Sequence, residues 1–441
     1  MRRATTACGL VLALVVPSLA VAGGEDRLQE LHQEIQQLRT DYEQHLRLLE
    51  ERLAEAERRP PAPARGAARG AANAFNPAIS AILLGNYWGY SRNPDHYALP
   101  GFPLGGGAGL APEGLGLDES ELSLSANIDD RFFGALTLAL EHGGDTSVAV
   151  EEGYVEALGL PAGLGLKLGR FFSEVGYLNT SHAHAWDFAD EPLAYRAFLG
   201  GQYGDDGVQL RWLAPVALFL EVGGEVNHGA SYPAAGHDLV GAYDLFVHLG
   251  GDLGVSHSWR VGLAHLRADA AGREAGQETT SISPSMFDGD TDLTVADLVW
   301  KWAPGGNATV HSLIVQAEVM RRAEDGTVAV DDGSRVSDYD GTQYGGYLQA
   351  VYQFLPGWRA GLRYDRLWAD NDGSDAVVLA DAGLLDDGRD PERVTVMADY
   401  SHSEFSRIRV QCARDDSGPT AGYQWTVQYL MSLGAHGAHR F

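Results

Sequence analysis

From Phe75 onward the chain alternates apolar and polar residues with a period of two, in one segment after another. In 117–128, Leu122, Leu124, Ala126 and Ile128 oppose Glu121, Ser123, Ser125 and Asn127; in 217–227, Leu218, Leu220, Val222 and Val226 oppose Glu221 and Glu225. The last such segment, 423–434, sets Tyr423, Trp425, Val427, Tyr429, Met431 and Leu433 against Gln424, Thr426, Gln428 and Ser432. Strand side chains point alternately to two faces, so each segment is an apolar ribbon backed by a polar one. The pattern predicts strands near 79–90, 117–128, 131–142, 147–158, 163–170, 207–214, 217–227, 239–250, 257–267, 292–302, 310–321, 343–354, 358–367, 392–401, 405–413 and 423–434. That makes about sixteen, each roughly the length of a tilted transmembrane strand. One resists: VEEGYVEAL, 150–158, alternates poorly, which predicts a bulge or a displaced boundary there.

The links between these strands are of two kinds. Asp129-Asp130, Leu160-Pro161-Ala162, Pro215-Val216, Leu355-Pro356-Gly357 and His402-Ser403 are tight, whereas 91–116, 171–206, 268–291, 322–342 and 368–391 are long and acidic. Short turns at one rim and long loops at the other mark an outer-membrane barrel, and a soluble sandwich gives no reason for them. Trp259, Trp300, Trp302, Trp358, Tyr364 and Tyr400 stand near strand ends, where aromatic girdles meet the membrane surface. The expected fold is all-β: a transmembrane antiparallel barrel of about 16 strands over 75–441, both ends on the periplasmic side of the outer membrane of a Gram-negative bacterium. Phe441 then reads as a carboxy-terminal assembly signal, addressed to the barrel assembly machinery.

The chain before Phe75 differs in kind. Arg2 and Arg3, an apolar run from Leu10 to Val16 and the small-residue site Ala20-Val21-Ala22 form a secretory leader, 1–22, too short for a membrane helix. In 23–59, Leu28, Leu31, Ile35, Leu38, Tyr42 and Leu49 recur at spacings of three and four, with His45 in the one gap. This is a short coiled-coil helix that favours a homo-oligomer such as a trimer, the alternative being a lone amphipathic helix. Residues 60–74, opening PPAPARGAARGAA, form a Pro/Ala/Gly/Arg linker with nothing to pack.

Composition narrows the function. The 32 Lys and Arg stand against 60 Asp and Glu, a formal net charge of −28. Such a surface repels phosphate backbones and argues against nucleic acid as a partner. Acidic outer loops suit divalent cations held beside lipopolysaccharide and outer-membrane lipid. With Cys8 in the leader, Cys412 is the mature chain's only thiol, which excludes an internal disulfide and a thiolate metal cage. Ser181-His182 and Ser256-His257 are neighbours in sequence, not a catalytic geometry, so no enzyme is expected.

Candidate chemistry concentrates in the longest link, 171–206, FFSEVGYLNTSHAHAWDFADEPLAYRAFLGGQYGDD. A long segment without periodicity inside a compact domain is usually functional, and as the third outer link it holds the place at which porins fold a loop into the lumen. It carries Glu174, Asp187, Asp190, Glu191, Asp205 and Asp206. Across the lumen, Arg359 and Arg363 share one face of a strand, Arg393 starts the next, and Arg407 and Arg409 point inward on the one after. An acidic loop facing this basic wall across water would set a transverse field at a constriction; the alternative is that the arginines pair with Asp365, Asp399 and the loop carboxylates and fill the lumen. His182 and His184 project to one side if extended, near Asp187 and Asp190, and imidazole with carboxylate suits zinc or another divalent cation. His436 and His439 have opposite parities, and DNDGSD, 370–375, lacks the glycine and the closing glutamate of an EF-hand loop.

The stretches FNPAIS (75–80), YALPGF to EGLGL (97–117), LKLGRFFSEVGYLN (166–179), HAHAWDFAD (182–190), GQYGDDGVQLRWLAP (201–215), GLRYDRLWADN (361–371) and the ending SLGAHGAHRF resemble a proteobacterial family of porin-like outer-membrane barrels. Its members are often labelled TonB-dependent or zinc-regulated outer-membrane receptors and carry a coiled coil before the barrel. The resemblance implies an outer-membrane barrel linked to zinc supply. Energy-coupled receptors of that name have plugged 22-stranded barrels, whereas here a helix and a linker precede about sixteen strands. The expected function is passive diffusion of small polar solutes or ions, with assistance to zinc entry. A TonB-dependent-type metal receptor and a structural tether to the cell wall through the coiled coil are the alternatives.

Overall fold

The computed structural model describes residues 77–434, apart from 106–107, 143–145, 237–239, 277–282, 386–387 and 419. The leader 1–22, the helix 23–59, the linker 60–74, His436, His439 and Phe441 lie outside the described residues.

The strands are inside out. In the last of them the polar residues Gln424, Thr426, Gln428 and Ser432 are buried, while Tyr423, Trp425, Val427, Tyr429 and Leu433 are exposed. A soluble sandwich would reverse this, and an exterior of Leu, Val and aromatic side chains around the whole sheet is the surface that lipid tails solvate. The strands are β1 (Ala78–Tyr90), β2 (Gly114–Leu117), β3 (Ser120–Asn127), β4 (Phe132–His142), β5 (Thr146–Ala157), β6 (Leu164–Phe172), β7 (Gly204–Leu213) and β8 (Phe219–Asn227). They continue with β9 (Ala242–Leu253), β10 (His257–Ala275), β11 (Ser285–Trp302), β12 (Ser312–Val330), β13 (Arg335–Leu355), β14 (Trp358–Gly373), β15 (Glu392–Ser403), β16 (Ser406–Asp415) and β17 (Gly422–Gly434).

Each wall strand pairs antiparallel with its neighbours in sequence, and β17 returns to β1 from Ser80↔Gly434 to Tyr90↔Gln424, closing the barrel. Both β2 and β3 pair with β1, so they are one wall strand broken at Asp118-Glu119, and the wall has sixteen positions. Because β1 starts and β17 ends at the same rim, the short turns 128–131, 158–163, 214–218, 356–357 and 404–405 share that rim. Outward-facing Trp358 and Trp368, at the two ends of the apolar band on β14, are ten residues apart. At about 3.4 Å per residue and a tilt of about 40° that spans about 26 Å, close to the height of the band around such barrels.

Two expected loops are corrected. Link 322–342 is strand almost throughout, since β12 runs to Val330 and β13 starts at Arg335, and link 268–291 shrinks to 276–284. Beyond the lipid the outer face is wet and needs no apolar side chains, so the alternation that marks a strand fades although the ladder continues. These tall hairpins enclose the short helix Ala376–Asp381, whose Val378 and Leu379 pack with Phe287, Val328, Val330 and Tyr339.

The larger apolar core lies inside the barrel. Leu193, Ala194, Tyr195, Phe198 and Leu199, from the loop between β6 and β7, pack with Leu99, Phe102 and Leu104 of the first loop. Against them the wall presents Leu266, Leu293, Val295, Met320, Tyr347 and Leu367, all facing inward. Each large apolar side chain buried here contributes about 1.5–3 kcal/mol. The lumen on the β9–β14 side is therefore filled with packed protein.

Candidate functional site

The loop 173–203 leaves the wall after β6 and folds into the lumen. Asn179 ties its base: Nδ2 donates to the carbonyls of Ser173 and Tyr203, 2.8 Å each, and Oδ1 accepts the Tyr203 N–H at 2.8 Å. Glu318 on β12 then collects the loop's next donors, accepting the N–H groups of Tyr177 (3.2 Å) and Leu178 (3.0 Å) and the Tyr195 hydroxyl (2.9 Å). The loop's helix, Leu193–Leu199, ends at Gly200 in the left-handed region, φ 65°. It lies so close to β13 that a Cβ on Gly345 would fall 2.8 Å from Phe198 and 3.2 Å from Ala194.

The expected transverse field is not what these charges form. Asp187 reaches Arg359 at 2.7 Å, and Arg359 also holds Asp399 at 2.6 Å. Asp190 bridges Arg363 (2.9 Å) and Arg393 (2.8 Å) and accepts from Gln411 (2.8 Å), while Arg363 also pairs with Asp365 at 3.1 Å. Arg407 and Arg409 donate to the carbonyls of His184 and Trp186, 2.7 and 2.6 Å. Acid and base meet without water between them, so this wall is a dock for the loop. Burial would raise the Asp190 pKa, but Arg393, Arg363 and Arg196 outweigh it and hold the carboxyl well below the usual range. Glu191 pairs with Arg196 at 2.5 Å, and the buried Glu174 donates its backbone N–H to Glu225.

Asp205 and Asp206 belong to β7 and not to the loop. Asp205 accepts the N–H groups of Gly229 (2.8 Å) and Ala230 (2.9 Å) and orders the link after β8. Asp206, exposed on the parity of Val208 and Leu210, pairs outside the lumen with Arg170 at 2.8 Å. Neither faces the passage as expected.

His182 and His184 do turn to one side, their rings stacked 5.5 Å apart, although His182 caps and His184 lies within a single 3-10 turn, Ala183–Ala185, where an extended run was expected. Their carboxylate neighbours are other than expected. Asp187 and Asp190 serve the arginines, and the donors that converge with the histidines within 4.8 Å come from Glu121 of β3. Glu121 lies 2.5 Å from Nδ1 of His184 and 3.4 Å from Nδ1 of His182. His182 also meets Glu151 through Nδ1 (3.1 Å) and Glu152 through Nε2 (3.0 Å). Two successive strand residues can both face inward because β5 is bulged: Thr137 pairs with Glu152 and Leu138 with Val150, leaving Glu151 as the extra residue. The faulty alternation of VEEGYVEAL is this bulge. Burial would lower the His182 pKa, yet hydrogen bonds and attraction from Glu151, Glu152 and Glu121 keep it well above the ordinary histidine value.

Two cavities lie on either side of this cluster, along the β1–β6 side that the core leaves open. One, of about 560 Å³, opens toward the rim of short turns and includes Glu121, Glu152, Glu156, His182 and His184. The other, of about 600 Å³, lies toward the rim of long loops and includes Asp118, Glu119, Glu151 and Glu191. Phe172 and Trp186 line both, so the histidine cluster stands between the two cavities.

No family model matches the chain. It is 30% identical over 397 residues to an uncharacterized protein of Aquifex aeolicus (strain VF5), covering 83% of this chain and 80% of that one. Among solved structures, the outer membrane channel DcaP of Acinetobacter baumannii superposes with a TM-score of 0.50 at 12% identity, over 81% of this chain and 97% of that one. A loop L8 deletion mutant of OmpT, an outer membrane protein of Vibrio cholerae, gives 0.49 at 10% identity, over 81% and 99%. The likeness to DcaP is one of fold: a sixteen-position outer-membrane barrel of the kind porins use.

Proposed function

The chain belongs to one family with the Aquifex aeolicus protein, and we propose that it is a passive outer-membrane channel for small polar solutes and ions, with a preference for cations. The observation that carries this reading is the surplus of carboxylates along the open side of the lumen. The outer cavity meets Asp118, Glu119 and Glu151 with Arg196 as its one cationic side chain, and Arg196 is paired with Glu191. The inner cavity sets Glu121, Glu152, Glu156, Glu174 and Asp187 against Lys167, Lys301 and His182. Carboxylates on low-dielectric walls raise the local concentration of cations and depress that of anions. The arginines that would have balanced them, Arg359, Arg363 and Arg393, are consumed in docking the loop.

The reversal potential of single channels in a planar bilayer under a KCl gradient tests this. It should shift toward the potassium equilibrium potential, and the shift should shrink as salt screens the wall. A chloride-directed potential, or a folded barrel that carries no current, overturns the reading.

A further inference from the structure

The cluster between the two cavities has the makings of a metal site. Glu121 offers a carboxylate oxygen toward Nδ1 of each histidine, 2.5 Å from His184 and 3.4 Å from His182, and the donor atoms of the three residues lie within 4.8 Å of one another. A tetrahedral ion with bonds of about 2.0–2.2 Å needs donors a little over 3 Å apart, so a small adjustment brings them onto one centre. His182 presents Nδ1 to this centre and its opposite nitrogen, Nε2, to Glu152 at 3.0 Å. A carboxylate behind the imidazole is what fixes a metal-ligating histidine in its ring orientation and tautomer. Glu151, 3.1 Å from the same Nδ1, is in reach as a fourth donor.

From this geometry we infer that Glu121, His182 and His184 bind a divalent transition-metal cation of the zinc, copper or nickel class between the two cavities of the lumen, with Glu151 completing the set and Glu152 orienting His182. Two imidazoles with carboxylate oxygens select these ions over calcium and magnesium, which prefer oxygen alone. Glu151 belongs to the outer cavity's lining and Glu152 to the inner one's. An ion at this centre is therefore reached from both sides and obstructs whatever else passes. The location at a neck rests on the channel reading, whereas the binding itself does not.

The test begins without conduction. The protein extracted from membranes in detergent is titrated with cobalt(II), whose visible absorption reports a low-coordinate site, and then with zinc in competition. One ion per chain is expected, displaced by zinc and not by magnesium. Glu121→Gln and His184→Ala should weaken binding by more than about 10-fold, and Glu152→Gln, which only orients a ligand, by about 10-fold, the lower end of the roughly 10–100-fold cost of losing such an orienting partner. His402→Ala, far from the neck, should leave it unchanged. Unaltered binding in the neck variants, or no binding by a barrel whose folding is verified by its mobility on unheated gels, overturns the site. Zinc block of single-channel current, relieved in the same variants, then reports on the neck. Binding without current would sink the channel reading and leave the site standing.

Discussion

Asp190 shows how much one buried carboxylate can hold in place. It faces Arg363, Arg393, Arg196 and Gln411, with Asp365 sharing two of those arginines and Glu191 the third. Its pKa is depressed on folding, so its contribution to docking the loop is complete above the ordinary aspartate value and is lost only as pH falls through the lower folded value. Docking of the loop, read as its resistance to protease in the folded barrel, should therefore be steady from neutral pH down to about pH 4 and weaken only in stronger acid, whereas Asp190→Asn should weaken it already at neutral pH. Arg363→Ala leaves Asp190 and Asp365 short of a partner in a fully buried place and should cost about 3–5 kcal/mol of docking, read as loop cleavage by protease in a barrel that stays folded. Residues of this kind were only half legible in the sequence. The charges of Asp187, Asp190, Arg359 and Arg363 were visible, but parity cannot say whether opposite charges meet or face each other across water.

The bulge in β5 does what a regular strand cannot, placing Glu151 and Glu152 on one face. Deleting Glu151 makes the ladder regular while Val150 still faces out and Glu152 in. The expected result is an intact barrel by circular dichroism with a reversal potential closer to zero; unchanged selectivity would show that Glu151 contributes nothing to the path. The sequence flagged the bulge as a failure of alternation but not its consequence. Alternation located the wall strands because lipid demands an apolar outer face, and it faded in the upper halves of β10 to β13, where no lipid enforces it. Glu121 was legible as an inward residue, yet its meeting with His184 joins positions 63 residues apart and leaves no local trace. One signal went unused: Leu293, Val295 and Val299 face inward on β11 beside outward Ala296 and Leu298, and apolar residues on both parities announce a lumen filled by a core.

At the scale of the molecule the lumen is divided, packed along β9–β14 and open along β1–β6. The packed half has an implication for time. Besides Val175, Leu178, Trp186 and Tyr203 of its own loop, the core around the loop's helix is drawn from far along the chain; Leu266, Leu293, Met320, Tyr347 and Leu367 arrive from strands that can curve around it only once the wall has formed. Contacts of such long sequence separation are late, because the chain between them must be ordered first. Refolding into micelles should thus run in two stages, with sheet signal in the far ultraviolet preceding the fixing of tyrosine and tryptophan side chains in the near ultraviolet, and Arg363→Ala should slow the second stage alone. A single stage in both signals would mean that wall and core form together. On the two-stage course a newly inserted barrel is first an unobstructed cylinder, and it acquires its selectivity by maturing.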